Sequence, residues 1–337
     1  MFSPSPGWAA VLTNWAPAPL ADLAILLATL GYGWLARARI GWPWRRSASW
    51  LLAMLTLVVA LNSPVGRYSD VLFWVHMVQH LLLIMVAPML LVWAQPVRLL
   101  REAGPPALAA RLDRVLGGRP TRWLTAPLTG LALYTALVVL THLTGFQQIS
   151  ATHGGIRVLE LAAYLACGWL FFYPLLGAEL GPWSLPYLLR FVVLALAMGT
   201  DTLTGVALML TSRPLAPAYA AAHPGWGPSA LLDQEAAGAI MWFGGDLLMM
   251  ILMILVAVQW GRAGAEQQGL GTWLEGARRR SLLGAGPDVG AQSGAETDAE
   301  LDIDEDQRAL DAYNAALAAL NGRRPPSRPA PDSPDRR

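Results

Sequence analysis

Two histidines four residues apart, His76 and His80, stand in an otherwise uncharged stretch, FWVHMVQHLLLIMVAP. In a helix this spacing sets both side chains on one face, one above the other, as two imidazoles sharing a metal ion require. Other polar groups within or at the mouths of apolar stretches include Gln79, His142, Glu160, Asp201, Asp233 and Gln234, with Asp246 further along. His153 and His223 complete the five histidines. Met77, Met85, Met198, Met209 and Met241 add thioethers, and imidazole combined with thioether suits copper. The same residues also fit a metal-free reading, in which histidines hydrogen-bond across helices and methionines pack.

Catalytic chemistry is not indicated, and the sequence predicts no enzyme. HMVQH lacks the glutamate that follows the first histidine of HExxH and serves as general base in metalloproteases. All 24 basic residues are arginine. Without a lysine there is no amine for a retinal Schiff base. The single cysteine, Cys167, lies in an apolar run and cannot form an internal disulfide.

The elements that must position these groups are membrane spans. Of the 337 residues 55% are hydrophobic and 14% charged, well below the roughly 25% charged of a soluble domain. Runs of about twenty apolar residues predict an all-α, polytopic protein with about seven transmembrane helices, at 20–36, 49–63, 71–93, 124–142, 157–176, 188–210 and 235–258. Arginines cluster after the first, third and last runs. The positive-inside rule then places the N-terminus outside and the C-terminus in the cytoplasm. On that topology His76 lies roughly 8 Å and His80 roughly 14 Å below the outer end of their helix. All five histidines fall on the outer side, with Glu160, Asp201, Asp233 and Gln234 at the same level.

Residues 1–19 form a short outer segment with no cleaved signal pattern. Residues 20–260 form the membrane domain, and 261–284 a basic juxtamembrane segment. Between the third and fourth spans, VRLLREAGPPALAARLDRVLGG predicts two short amphipathic helices broken at Gly104-Pro105-Pro106. Composition shifts after Gly284, so 285–337 is expected to be a disordered tail with a short helix at 304–321.

The run from Trp42 to Leu100, with HMVQHLLLIMVAP at its core and Pro96 beyond it, resembles the CtaG-type cytochrome c oxidase assembly factors of bacteria. Thr141-His142 and DQEAAGAIMW from Asp233 to Trp242 are similar to that family's later motifs, and the resemblance covers about residues 15 to 260. It implies a multi-pass plasma-membrane protein needed to build a haem–copper oxidase, with copper handling as its associated activity. Oxidase subunits, the lipid bilayer and other copper chaperones are then the expected partners, and nucleic acid is not. Where the family pattern leads us to expect Glu-His, this chain has Glu160-Leu161. Combining resemblance and topology, His76 and His80 are expected to hold Cu(I) and His142 to complete the site. His153 and Met77 are weaker candidate ligands. Asp233 or Gln234 would orient an imidazole, and Gln79, Glu160 and Asp201 supply supporting polar groups.

Three rival functions are weighed against this. A metal-free scaffold for oxidase subunits would use the same histidines structurally. A copper permease needs polar groups continuing toward the cytoplasm, where only Asp246 is available. A b-type haem protein would have to borrow His142, because His76 and His80 on one helix cannot ligate opposite faces of one porphyrin.

Overall fold

Proline marks where many of the helices begin. Pro19, Pro64, Pro96, Pro106 and Pro127 sit in the first turns of theirs, where the missing N–H would have had no intrahelical partner. The structure, a computed structural model, describes Gly7, Ala9, residues 13–176 and residues 181–282, with backbone alone from 264. Six helices are long and apolar enough to cross a membrane: Pro19–Ala38, Trp44–Tyr68, Phe73–Ala103, Gly154–Leu176, Tyr187–Leu210 and Ala230–Ala263. The remaining expected span, fourth in order, is Pro127–Leu143, which bends by 75° into Phe146–Thr152. Counting that bent pair gives seven. The second span, which reads as short in the sequence, is 25 residues long.

Contacts divide the chain into two units, Met1–Gln259 and Trp260–Arg337. In the second, the backbone is helical as far as Leu282. The expected tail and its short helix lie outside the described residues.

Burial in the first unit is the reverse of a soluble protein's. Leu20, Leu203 and Leu210 are 85%, 73% and 80% exposed, while His76, Glu160 and Asp201 are at most 2% exposed. A helix that shows leucine outward and carboxylates inward is solvated by lipid. The first span is the least covered, with Tyr32 its buried residue. Tyr32 stacks on Trp50 at 4.4 Å and donates to the Ala94 carbonyl at 2.8 Å.

The third span is not a uniform helix. Its α-helical start, Phe73–Leu81, widens into a π-helical turn at Leu82–Val86 before α-helix resumes at Ala87–Ala94. Pro88 cannot donate to the carbonyl of Ile84 four residues back. At that point Gly168 of the fifth span closes in: a Cβ on it would lie 2.0 Å from the Ile84 oxygen. The span then breaks at Gln95, with φ of 53°, directly before Pro96. Pro96–Ala103 and Pro106–Leu116 follow as two short helices separated at Gly104-Pro105, with Arg119–Leu124 beyond them.

Candidate metal centre

Three helices bring their polar groups to the end of the bundle opposite the arginine-bearing loops that follow the first and third spans. His76 and His80 come from the start of the third span, and their ring centroids are 3.9 Å apart. Glu160 comes from the start of the fifth. Its Oε1 lies 3.4 Å from His80 Nε2 and 3.7 Å from His76 Nε2. Each of the three residues offers one ligand atom, and these atoms all lie within 4.8 Å of one another. A tetrahedral ion with bonds of about 2.0–2.1 Å separates its donors by about 3.3 Å.

The bend after Leu143 explains how the carboxylate is held. It carries Phe146–Thr152 across the start of the fifth span, so that Gln147 donates to Glu160 Oε1 at 2.7 Å and Ser150 to Oε2. The imidazoles are treated differently. Among the described residues no hydrogen bond reaches either ring nitrogen of His76 or Nε2 of His80, although all three atoms are buried. A buried polar atom without a partner costs about 1–3 kcal/mol, and here several share one small space. A cation between the imidazoles and the carboxylate would engage the Nε2 atoms of both histidines, the two that lie nearest Glu160 Oε1.

The other sequence-predicted residues lie around this cluster in distinct roles. His142 stands against the opposite edge of His80, its Nε2 3.3 Å from His80 Nδ1. Glu160, expected among the supporting groups, is the residue whose oxygen groups with the nitrogens of His76 and His80. Met77 is buried and lines a small cavity with His80, Tyr134, His142, Tyr164 and Asp201. Asp201 accepts from the Tyr134 hydroxyl at 2.9 Å. Among the described residues, Asp233 and Gln234 hydrogen-bond to main chain and not to an imidazole. Asp233 accepts the backbone N–H groups of Phe73 and Trp74, and Gln234 spans Leu208 O, Thr211 O and Leu215 N. His153 is exposed and bonded to the Ile149 carbonyl and Thr152, away from the cluster. Leu161 packs at the edge of the hydrophobic core.

Residues 29–263 match the profile of the family described as cytochrome c oxidase caa3 assembly factor (Caa3_CtaG). The chain belongs to that family. It is 32% identical over 270 residues to uncharacterised proteins of Mycobacterium bovis and Mycobacterium tuberculosis, covering 76% of this chain and 41% of theirs. An uncharacterised Mycobacterium leprae protein is 32% identical over 248 residues, 69% of this chain and 38% of its own length. The chain thus spans about two-fifths of the length of the curated relatives it matches. No solved structure matches.

In this member of the family the sequence reading overlooks Arg157. The residue is 7% exposed, and its guanidinium donates to Ser69 O at 2.9 Å, Ser69 Oγ at 3.0 Å, Gln79 Oε1 at 3.1 Å and Tyr219 Oη at 3.1 Å. Gln79 completes the link by donating to the Ala60 carbonyl at 2.7 Å. Burial raises the Tyr219 phenol above its ordinary pKa, with Arg157 pulling the other way. The sequence signal for Arg157 is a charge three residues before Glu160 in one apolar span, and intramembrane charges at that spacing face the same interior.

Proposed function

We propose that the protein is a bacterial plasma-membrane assembly factor for a haem–copper cytochrome c oxidase, and that His76, His80 and Glu160 hold copper as cargo on its way to the enzyme. The reading rests on the buried His-His-Glu set, in which the Nε2 atoms of both histidines face Glu160 without a hydrogen bond, joined to membership of an oxidase-assembly family. The donor set fits the metal. Two imidazoles suit copper, and the carboxylate, harder than a thioether, extends the site toward Cu(II) or zinc. Among the described residues three imidazole or carboxylate donors come together here, so a receiving protein can supply the next ligand and compete for the ion. On the orientation given by the arginine-rich loops the site lies in the outer half of the bilayer. Oxidase subunits are the receiving partners.

The test is Cu(I) binding to detergent-purified full chain by competition with a chromogenic chelator, comparing wild type with His76→Ala/His80→Ala. The same pair is followed in cells by the copper content of the oxidase. Near-stoichiometric binding lost in the variant, with a copper-poor oxidase, supports the proposal. Absence of binding in wild type, together with a normal oxidase in cells carrying the variant, overturns it and leaves the metal-free scaffold.

A further inference from the structure

The protons of the buried histidine pair can be placed from its acceptors alone. His142 Nδ1 lies 2.8 Å from the Val138 carbonyl oxygen. A carbonyl only accepts, so Nδ1 of His142 carries a proton. The neighbouring hydroxyls agree. Thr141 gives its proton to the Leu137 carbonyl at 2.7 Å and accepts from Tyr164 at 2.6 Å, which leaves neither hydroxyl donating to His142. His142 is 1% exposed, and among the described residues no carboxylate forms an ion pair with it. Its ring is therefore neutral, and its Nε2 presents a lone pair. That lone pair faces His80 Nδ1 at 3.3 Å. Two lone pairs do not face one another across a hydrogen bond, so His80 Nδ1 is the donor; on the other side of the ring Glu160 Oε1, 3.4 Å from Nε2, is not aligned to accept a hydrogen bond from it.

We infer that His142 is a positioning residue for the metal centre: with the Val138 carbonyl behind it, it keeps a proton on Nδ1 of His80 and so commits Nε2 of His80 to the side of His76 and Glu160. The inference rests on the proposed metal site for its purpose, but the proton relay stands on the hydrogen bonds alone. A metal-bound histidine whose second nitrogen donates to a fixed acceptor is held in one tautomer and one ring orientation. In this chain the fixed acceptor is another histidine, itself fixed by main chain. This accounts for a third buried histidine that touches the cluster without adding a donor to it. Tyr164 reinforces the placement by stacking on the His80 ring at 3.8 Å.

The experiment uses the full chain in detergent, labelled with ¹⁵N-histidine, in wild type, His142→Leu and His142→Gln. The amide oxygen of glutamine can accept near the position of imidazole Nε2, whereas leucine cannot. Long-range ¹H–¹⁵N correlation on the metal-free protein reads which nitrogen of His80 bears a proton, and chelator competition reads copper affinity. Expected are a protonated His80 Nδ1 in wild type and in His142→Gln, its loss or mixing in His142→Leu, and copper affinity about 10–100-fold weaker in His142→Leu, with substantial recovery in His142→Gln. A bare Nδ1 on His80 in wild type overturns the relay, and that spectrum decides even where a variant fails to fold. Equal copper affinity in wild type and His142→Leu overturns the positioning role. Failure of wild type to bind copper while His80 Nδ1 is protonated overturns the proposed function and leaves the relay intact.

Discussion

The carboxylate of Asp233 accepts the backbone N–H groups of Phe73 and Trp74 at 2.8 and 2.9 Å, across 160 and 159 residues of sequence. Those amides open the helix that carries His76 and His80, so the seventh span supplies the N-terminal cap of the third. A helix start leaves N–H groups without partners and favours negative charge beside them. Asp233→Ala should therefore lower stability by about 1–2 kcal/mol. A reduced Tm in detergent at a fixed scan rate is the readout, and Asp233→Asn, which keeps an acceptor, should lose less. An unchanged Tm in Asp233→Ala would show that the cap contributes nothing.

Glu160 separates the metal reading from a structural one. Gln147 and Ser150 hold its two oxygens and both imidazoles face it. Glu160→Gln keeps shape and removes charge, so copper affinity should fall about tenfold or more through loss of an anionic donor. His153→Ala is the control. That residue is exposed and away from the cluster, and its loss should leave affinity unchanged and stability within about 0.5 kcal/mol. Equal losses in the two variants would remove Glu160 from the site.

The approach of the fifth span to the third can be tested at a single hydrogen. A Cβ on Gly168 would meet the Ile84 oxygen at 2.0 Å and Pro88 Cγ at 2.8 Å, two rigid neighbours. Gly168→Ala should cost about 1–3 kcal/mol or more through forced separation of the helices, seen as lower yield and Tm. Gly199→Ala, with nothing within 4 Å, should instead be neutral or stabilise by up to about 1 kcal/mol by raising helix propensity. Like signs for the two substitutions would refute the packing argument.

Local pattern carries the spans, the break at Pro96 and the shared face of His76 and His80, because apolar runs, prolines and a four-residue spacing act within one segment. The polar groups within the spans were legible as interior groups for the same reason. What each one touches depends on how neighbouring helices are rotated, and single-segment periodicity holds no such information. His142 lies at the depth expected of a ligand, yet its ring is turned behind His80. Gln147 and Ser150 fall in a stretch that reads as a loop, and only the 75° bend lays them over Glu160.

Arg157 allows the source of that end's stability to be separated into charge pairing and hydrogen bonding. Its ion-pair partner Asp70 is 3.2 Å away, but the Asp70 side chain is 66% exposed, and an exposed pair contributes about 0–1 kcal/mol. The buried acceptors on Ser69, Gln79 and Tyr219 have more at stake, because each one left without a partner costs about 1–3 kcal/mol. Arg157→Gln should therefore strongly reduce the yield of folded protein. Arg157→Lys should fall between, since an ammonium cannot reproduce the planar fork that reaches several acceptors at once. Asp70→Ala should change Tm little. Thermal unfolding of the three variants decides the matter: if Asp70→Ala proved as damaging as Arg157→Gln, the ion pair and not the buried hydrogen bonds would hold this end of the bundle together.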